Sequence, residues 1–163
     1  MALSKVPAVA LASGAARTNF GAGAVLQVVN TTSNTSHSGS GSGTVLNLTD
    51  LTTTITPSSV SSKILVMPML AQFMVGNTAG WKLVVTRNGT QIYNPGSAYE
   101  VYQQASSGTM GDNYGRSSWA FMDSPNTTSS VTYTFSLVLY SNQAGINYGS
   151  LYRSFITVME IAA

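Results

Sequence analysis

From residue 24 onward the chain alternates short stretches of β-branched and aromatic residues with punctuation by Gly, Pro, Asn and Ser. The clearest stretch is 131–140. There Val131, Tyr133, Phe135, Leu137 and Leu139 are apolar, and Thr132, Thr134 and Ser136 alternate with them until Val138. A period of two puts one set on the buried face of a sheet and leaves the other wet or paired with a neighbouring subunit. Similar patterning predicts strands over 24–30, 44–55, 63–75, 81–87, 90–93, 99–104, 118–122, 131–140 and 154–161. Between 81 and 93, Asn88-Gly89 supplies the two positive-φ residues that a type I′ hairpin turn requires. Nine short strands without a long helix predict an all-β fold, a jelly-roll-like antiparallel β-sandwich knob.

Residues 63–75 break the alternation, because Ile64, Leu65, Val66, Met67, Met69, Leu70, Phe73, Met74 and Val75 carry apolar side chains on both parities. A strand of this kind is covered on both sides, so its outer face is expected to meet another chain or the N-terminal segment. Pro68 cannot donate to a ladder and points to an edge or a bulge. Residues 1–23 are rich in Ala and Gly and are interrupted by Pro7, Gly14, Gly21 and Gly23. They read as an extended N-terminal arm, with the knob spanning 24–163.

Composition narrows the partners. Only 7% of the 163 residues are charged, against about 25% in an average soluble domain, and seven Lys and Arg offset five Asp and Glu. Nucleic-acid binding calls for a basic stripe that this balance does not provide. The chain has no cysteine, which excludes disulfides and thiolate metal sites and fits synthesis in a reducing cytoplasm. No apolar run reaches the length of a membrane-spanning helix. Residues 6–12 imitate a short secretory signal, but a lone Lys5 and Pro7 within the run weaken that reading.

Candidate chemistry is sparse. A hydrolytic triad needs a base, and the single histidine, His37, sits in a Ser- and Gly-rich stretch over 35–43 that reads as a flexible, solvated loop or hairpin tip. One histidine and no cysteine predict no metal centre, and no motif implies a cofactor. The glycines of that stretch lead to Thr44-Val45 instead of the Lys of a phosphate-binding loop. Asp112 and Asp123 could pair for glycoside cleavage, yet Asp112 lies in a turn composition and Asp123 precedes Ser124-Pro125, where a carboxylate caps backbone groups. No catalytic residue is therefore assigned. Glu160 falls within an apolar strand and requires a partner, with Arg87, Lys63 and Arg153 as candidates for a structural charge pair. Tyr93, Tyr99, Tyr102, Tyr114, Trp119, Tyr148 and Tyr152 serve either as core and interface side chains or as an uncharged glycan-binding surface.

Several segments carry a resemblance. They are Val25-Leu26-Gln27-Val28-Val29, residues 55–66 from Ile55-Thr56-Pro57 to Ile64-Leu65-Val66, Arg87-Asn88-Gly89-Thr90, Met122-Asp123-Ser124-Pro125, Val131-Thr132-Tyr133 and Ile156-Thr157-Val158-Met159-Glu160-Ile161. In this order they resemble a domain of tailed bacteriophages, many of them cyanophages and marine phages. The resemblance implies a β-sandwich knob of a tail-fibre or virion structural protein, associating in threes and carrying no catalytic residues. About two dozen residues precede the knob here, and an extended arm reaches at most about 3.3–3.6 Å per residue, so it can grip a surface better than project from it. The expectation is a homotrimeric surface protein of the virion, a capsid cement or decoration protein. Its arm would hold the major capsid protein or tail proteins through Lys5, Leu11, Arg17 and Phe20. The alternative is a short tail fibre or adhesion protein binding host surface glycans.

Overall fold

The computed structural model describes residues 21–105 and 111–163. The arm residues Lys5, Leu11, Arg17 and Phe20 lie outside them. Thirteen strands follow one another: β1 Val25–Ser33, β2 His37–Ser40, β3 Val45–Asn47, β4 Thr53–Ile55, β5 Lys63–Val75, β6 Thr78–Arg87 and β7 Thr90–Tyr93. They continue as β8 Val101–Gln104, β9 Asn113–Ser118, β10 Phe121–Asp123, β11 Val131–Leu139, β12 Gln143–Ile146 and β13 Ser154–Ile161. Among the described residues the only helical elements are two 3-10 turns, Thr49–Leu51 and Tyr148–Ser150.

The strands form two antiparallel sheets packed as a sandwich, the jelly-roll-like all-β architecture that the alternation predicts. One sheet runs β1-β13-β5-β12-β2, with β9 and β10 on the opposite edge of β5; the other runs β3-β11-β6-β7, with β4 on β11 and β8 on β6. Trp81, Leu83, Val85, Tyr133, Phe135 and Leu137 from one sheet meet Ile64, Val66, Leu70, Ile156 and Val158 from the other. The expected hairpin is present, with Asn88 and Gly89 at positive φ between β6 and β7.

Three expectations are corrected. The strand over 44–55 is interrupted. Residues 48–52 loop out between Asn47, paired with Ser136, and Thr53, paired with Tyr133, so that both β3 and β4 lie on β11. The gain is burial, because this excursion carries Leu48 and Leu51 into the core. The strand over 118–122 is likewise divided. Pro68 sits mid-way along the central strand β5, not at an edge, and the neighbouring chain breaks beside it: β9 ends at Ser118, β10 begins at Phe121, and Trp119 N donates to Pro68 O at 3.0 Å. The Gly/Ser stretch around His37 is no free loop, since His37–Ser40 forms β2 and pairs with Gln143–Ile146.

Candidate functional site

The outer faces of the two sheets differ in chemistry. On the six-stranded sheet, hydroxyls and amides bond across strands: Thr54 to Thr132 at 2.9 Å, Thr86 to Thr134 at 2.5 Å and Ser136 to Asn47 at 2.9 Å. This face suits water. On the seven-stranded sheet, register places Val28 beside Met159, Met159 beside Leu65, and Leu65 beside Met122. Four apolar side chains thus form one row across four strands. A second row joins Thr32, Phe155, Met69 and Ser118, and Met67 lies between the two beside Thr157. Val28 and Met122 are each 54% exposed. The two-sided apolarity of residues 63–75 therefore has a physical counterpart: even positions 64, 66 and 70 are core, and Leu65, Met67 and Met69 face outward among other apolar groups.

The polar residues capable of chemistry are held in structural roles. His37 is not solvated. Its side chain is 16% exposed and its Nε2 contacts Asp50 Oδ1, while Ser33 Oγ donates to Asp50 Oδ2. Serine and histidine thus bond the same carboxylate, and the serine hydroxyl has its bond to the acid instead of to the base that could take its proton. Asp112 and Asp123 are far apart. Asn113 pairs with Met74 and Asp123 with Ile64, ten positions along β5, so about 33 Å separates these levels, whereas paired glycosidase carboxylates stand within about 10 Å. Asp123 does not cap a turn; Arg87 Nη1 donates to both its oxygens at 2.8 and 2.9 Å, and Tyr133 OH donates to Oδ2 at 2.7 Å. Burial, then the Asp123 bond, pushes the Tyr133 phenol far above its ordinary value of 10.

Glu160 is buried and takes none of the expected cations. Its Oε1 accepts from Ser58 N at 2.7 Å, Ser58 Oγ at 2.6 Å and Ser62 Oγ at 2.7 Å, and its Oε2 from Gln27 Nε2 at 2.7 Å. Burial alone would raise its pKa, but these donors outweigh it and hold the carboxyl below its ordinary 4.5. Arg87 is committed to Asp123, Lys63 Nζ donates to Ser124 Oγ at 2.9 Å, and the Arg153 carbonyl accepts from Arg116.

The seven aromatic residues separate into three groups. Tyr93 and Trp119 are tied to Glu100, a residue the sequence did not single out: Trp119 Nε1 donates to Glu100 Oε1 at 2.8 Å, and the Tyr93 hydroxyl bonds the same oxygen. Trp119 leans on buried Trp81 with centroids 5.3 Å apart, and Tyr93 stacks on Phe121 at 5.0 Å. Burial and the Glu100 carboxylate push the Tyr93 phenol up to about 12. These two are framework. Tyr99 and Tyr102 both stand edge-on to Tyr140, at 4.7 and 5.3 Å, around a cavity of about 300 Å³ lined by those three rings. Tyr114, Tyr148 and Tyr152 form the third group, at the β9 end of the seven-stranded sheet.

No family model matches the chain, and no curated protein matches it. Among solved structures, the infectious bursal disease virus VP2 subviral particle superposes on 84% of this chain at 10% identity with a TM-score of 0.45. This chain spans 37% of that chain's length.

A buried knot, also missed in the sequence, supports the third aromatic group. Asn147 is fully buried with φ 55°, a backbone conformation that asparagine adopts more readily than most residues. Its Nδ2 donates to Ser33 O at 3.2 Å and Thr35 O at 3.0 Å, and its Oδ1 accepts from Ser154 Oγ at 2.8 Å. Its backbone N–H donates to Ala71 O at 2.8 Å. The turn carrying Tyr148 begins at the next residue. The only hint of this in the sequence was an Asn among polar neighbours, which many solvated loops share.

Proposed function

We propose that this chain is a structural protein of a tailed-phage virion, a homotrimer assembled through the outer face of the seven-stranded sheet. A capsid decoration role is favoured over a short tail fibre. The observation that carries the assembly reading is the apolar row Val28, Met159, Leu65 and Met122, set against the hydroxyl-lined outer face of the other sheet. The occupant is a neighbouring copy of the same chain. Charge does not oppose such contact, since Lys63 at its margin is bonded to Ser124, and among the described residues β1 pairs within the sheet only with β13, leaving an edge that a closed three-fold ring would cover. The virion setting rests on the ordered sequence segments that resemble tailed-phage knobs. The arm over 1–23 is the proposed attachment to capsid or tail proteins.

Sedimentation equilibrium at micromolar concentration tests the assembly. Trimer is expected for the native chain, and monomer for Val28→Asp combined with Met122→Asp, two exposed positions where a charge leaves the core intact. A monomeric native chain removes the trimer. Immunogold labelling of purified phage particles tests the setting: label over the capsid supports decoration, label confined to the tail supports the fibre, and unlabelled particles remove the virion role.

A further inference from the structure

The third aromatic group borders a cavity of about 210 Å³ lined by Gln72, Tyr114, Gly115, Arg116 and Tyr152. At about 30 Å³ per water this is the volume of roughly seven waters, room for a single sugar ring rather than a drug-sized ligand. Its walls are rigid. Tyr114 and Arg116 sit two apart on β9, which pairs with β5 from Asn113 to Ser118, so both side chains leave the same face of the sheet. Tyr148 stands edge-on between Tyr114, at 5.2 Å, and buried Phe73, at 5.1 Å. Tyr114 and Tyr152 lie within 24° of parallel with centroids 6.4 Å apart. The Asn147 knot holds the start of the segment from which Tyr148 and Tyr152 project.

The chemistry of the lining is specific. Tyr114, Tyr148 and Tyr152 are each 42% exposed, so flat ring area is presented to solvent on a framework that loses little freedom on binding. Beside the rings stands a guanidinium. Arg116 is oriented by its 3.1 Å bond from Nη1 to Arg153 O, whereas Gln72, opposite Gly115, leaves the other face of the sheet, where its buried Oε1 accepts no hydrogen bond among the described residues. Exposed aromatic faces beside a planar hydrogen-bonding group match a ligand with one C–H face and a rim of hydroxyls. We propose that this cleft binds one pyranose residue of a glycan, with Tyr114 and Tyr152 as the stacking surface and Arg116 as the hydroxyl- or carboxylate-binding group.

The Tyr99, Tyr102 and Tyr140 cavity is the weaker candidate, because its rings pack edge-on against one another and, among the described residues, no charged or amide side chain lines it. The proposed cleft shares the outer face of the seven-stranded sheet with the row Val28, Met159, Leu65 and Met122 but sits at its other end: Leu65 and Phe73 are eight positions apart on β5, about 26 Å. Trimer formation and sugar binding can therefore fail separately.

The test is a printed array of bacterial surface polysaccharides, together with titration of D-galactose, N-acetyl-D-glucosamine and D-glucuronic acid at millimolar concentrations. Amide signals of Gly115 and Arg116 report on the cleft. Saturable shifts at these amides are expected for at least one sugar. Tyr114→Ala and Tyr152→Ala should each weaken binding about tenfold, whereas Tyr114→Phe, which keeps the ring, and Tyr102→Ala, at the other cavity, should leave it unchanged. Arg116→Ala should weaken glucuronic acid more than the neutral sugars. Absence of binding on the array and in the titrations overturns the proposal, and so does binding that survives Tyr114→Ala in a folded protein.

Discussion

Gln27 and Glu160 are 133 positions apart in the chain, yet they are register partners on β1 and β13 and share a 2.7 Å hydrogen bond. Gln27 Nε2 also donates to Thr56 O at 2.7 Å, so its amide is committed on both sides. With Ser58 and Ser62 bonding the other carboxylate oxygen, the first strand, the last strand and the turn before β5 are fastened by one buried acid. Every one of these residues belongs to the segments that resemble phage knobs. Those segments therefore carry framework contacts between the two ends of the chain.

Replacing the acid tests this fastening. In Glu160→Gln an NH2 group faces Gln27 Nε2, and Gln27 cannot reverse its amide without turning an oxygen toward Thr56 O. A cost of about 1–3 kcal/mol is expected at neutral pH. Since the folded carboxyl is more acidic than its ordinary 4.5, the native network stabilises fully above that value and is lost as pH falls through the lower folded value. Urea denaturation at pH 7, 4.5 and 3.5 should show an acid-dependent loss in the native chain that the variant lacks. Parallel pH profiles would sink the idea.

A second fastening joins the sheets at Asp123. Tyr133→Phe should cost about 0.5–1.5 kcal/mol by removing one donor, while Asp123→Ala leaves both the Arg87 guanidinium and the buried phenol without their acceptor and should cost more, about 1–3 kcal/mol. The two changes act on one bond, so the double variant should be less damaged than the sum by at least about 0.5 kcal/mol. Strict additivity in thermal or chemical denaturation would show that the phenol and the carboxylate do not interact.

What could be read in the sequence follows from how strongly side chains mark a face. β5 and β13 match their predicted bounds because apolar residues crowd them, β7 because the turn before it sets its start, and β11 matches to within a residue because Val131 to Leu139 alternate cleanly. The Asn88-Gly89 turn is a local requirement and was equally plain. β2 and β12 were not legible, since His37–Ser40 and Gln143–Ile146 are mostly Ser, Gly and Ala, which mark neither face. Glu160 announced a need for a partner, but nothing local distinguishes Ser58 and Ser62 from other turn serines. The aromatic residues were visible as a set. Only the β9 register and the turn after Asn147 separate Tyr114, Tyr148 and Tyr152 from Tyr93 and Trp119, and those depend on residues up to 114 positions away.

The least legible pairing offers the sharpest structural prediction. Gly145 lies in β12 between β5 and β2, opposite Phe73 on one side and Ser38 on the other. A Cβ there would stand 2.0 Å from His37 O and 2.9 Å from His37 C and Ser38 Cα, all backbone atoms that cannot move without separating the strands. Gly39, across the same pair, is different: its added Cβ would meet Leu46 Cδ2 at 2.9 Å, the end of a side chain that can rotate. Gly145→Ala should therefore displace β2, loosening the Asp50 contacts of His37 and Ser33 and the Asn147 bonds to Ser33 and Thr35, at about 1–3 kcal/mol or more. Gly39→Ala should cost less. Hydrogen exchange locates the effect: amides of His37–Ser40 and Gln143–Ile146 should lose protection in Gly145→Ala, while those of β11 and β6 keep theirs. A Gly145→Ala protein with native stability and unchanged exchange in β2 would mean that these two strands do not approach as closely as described.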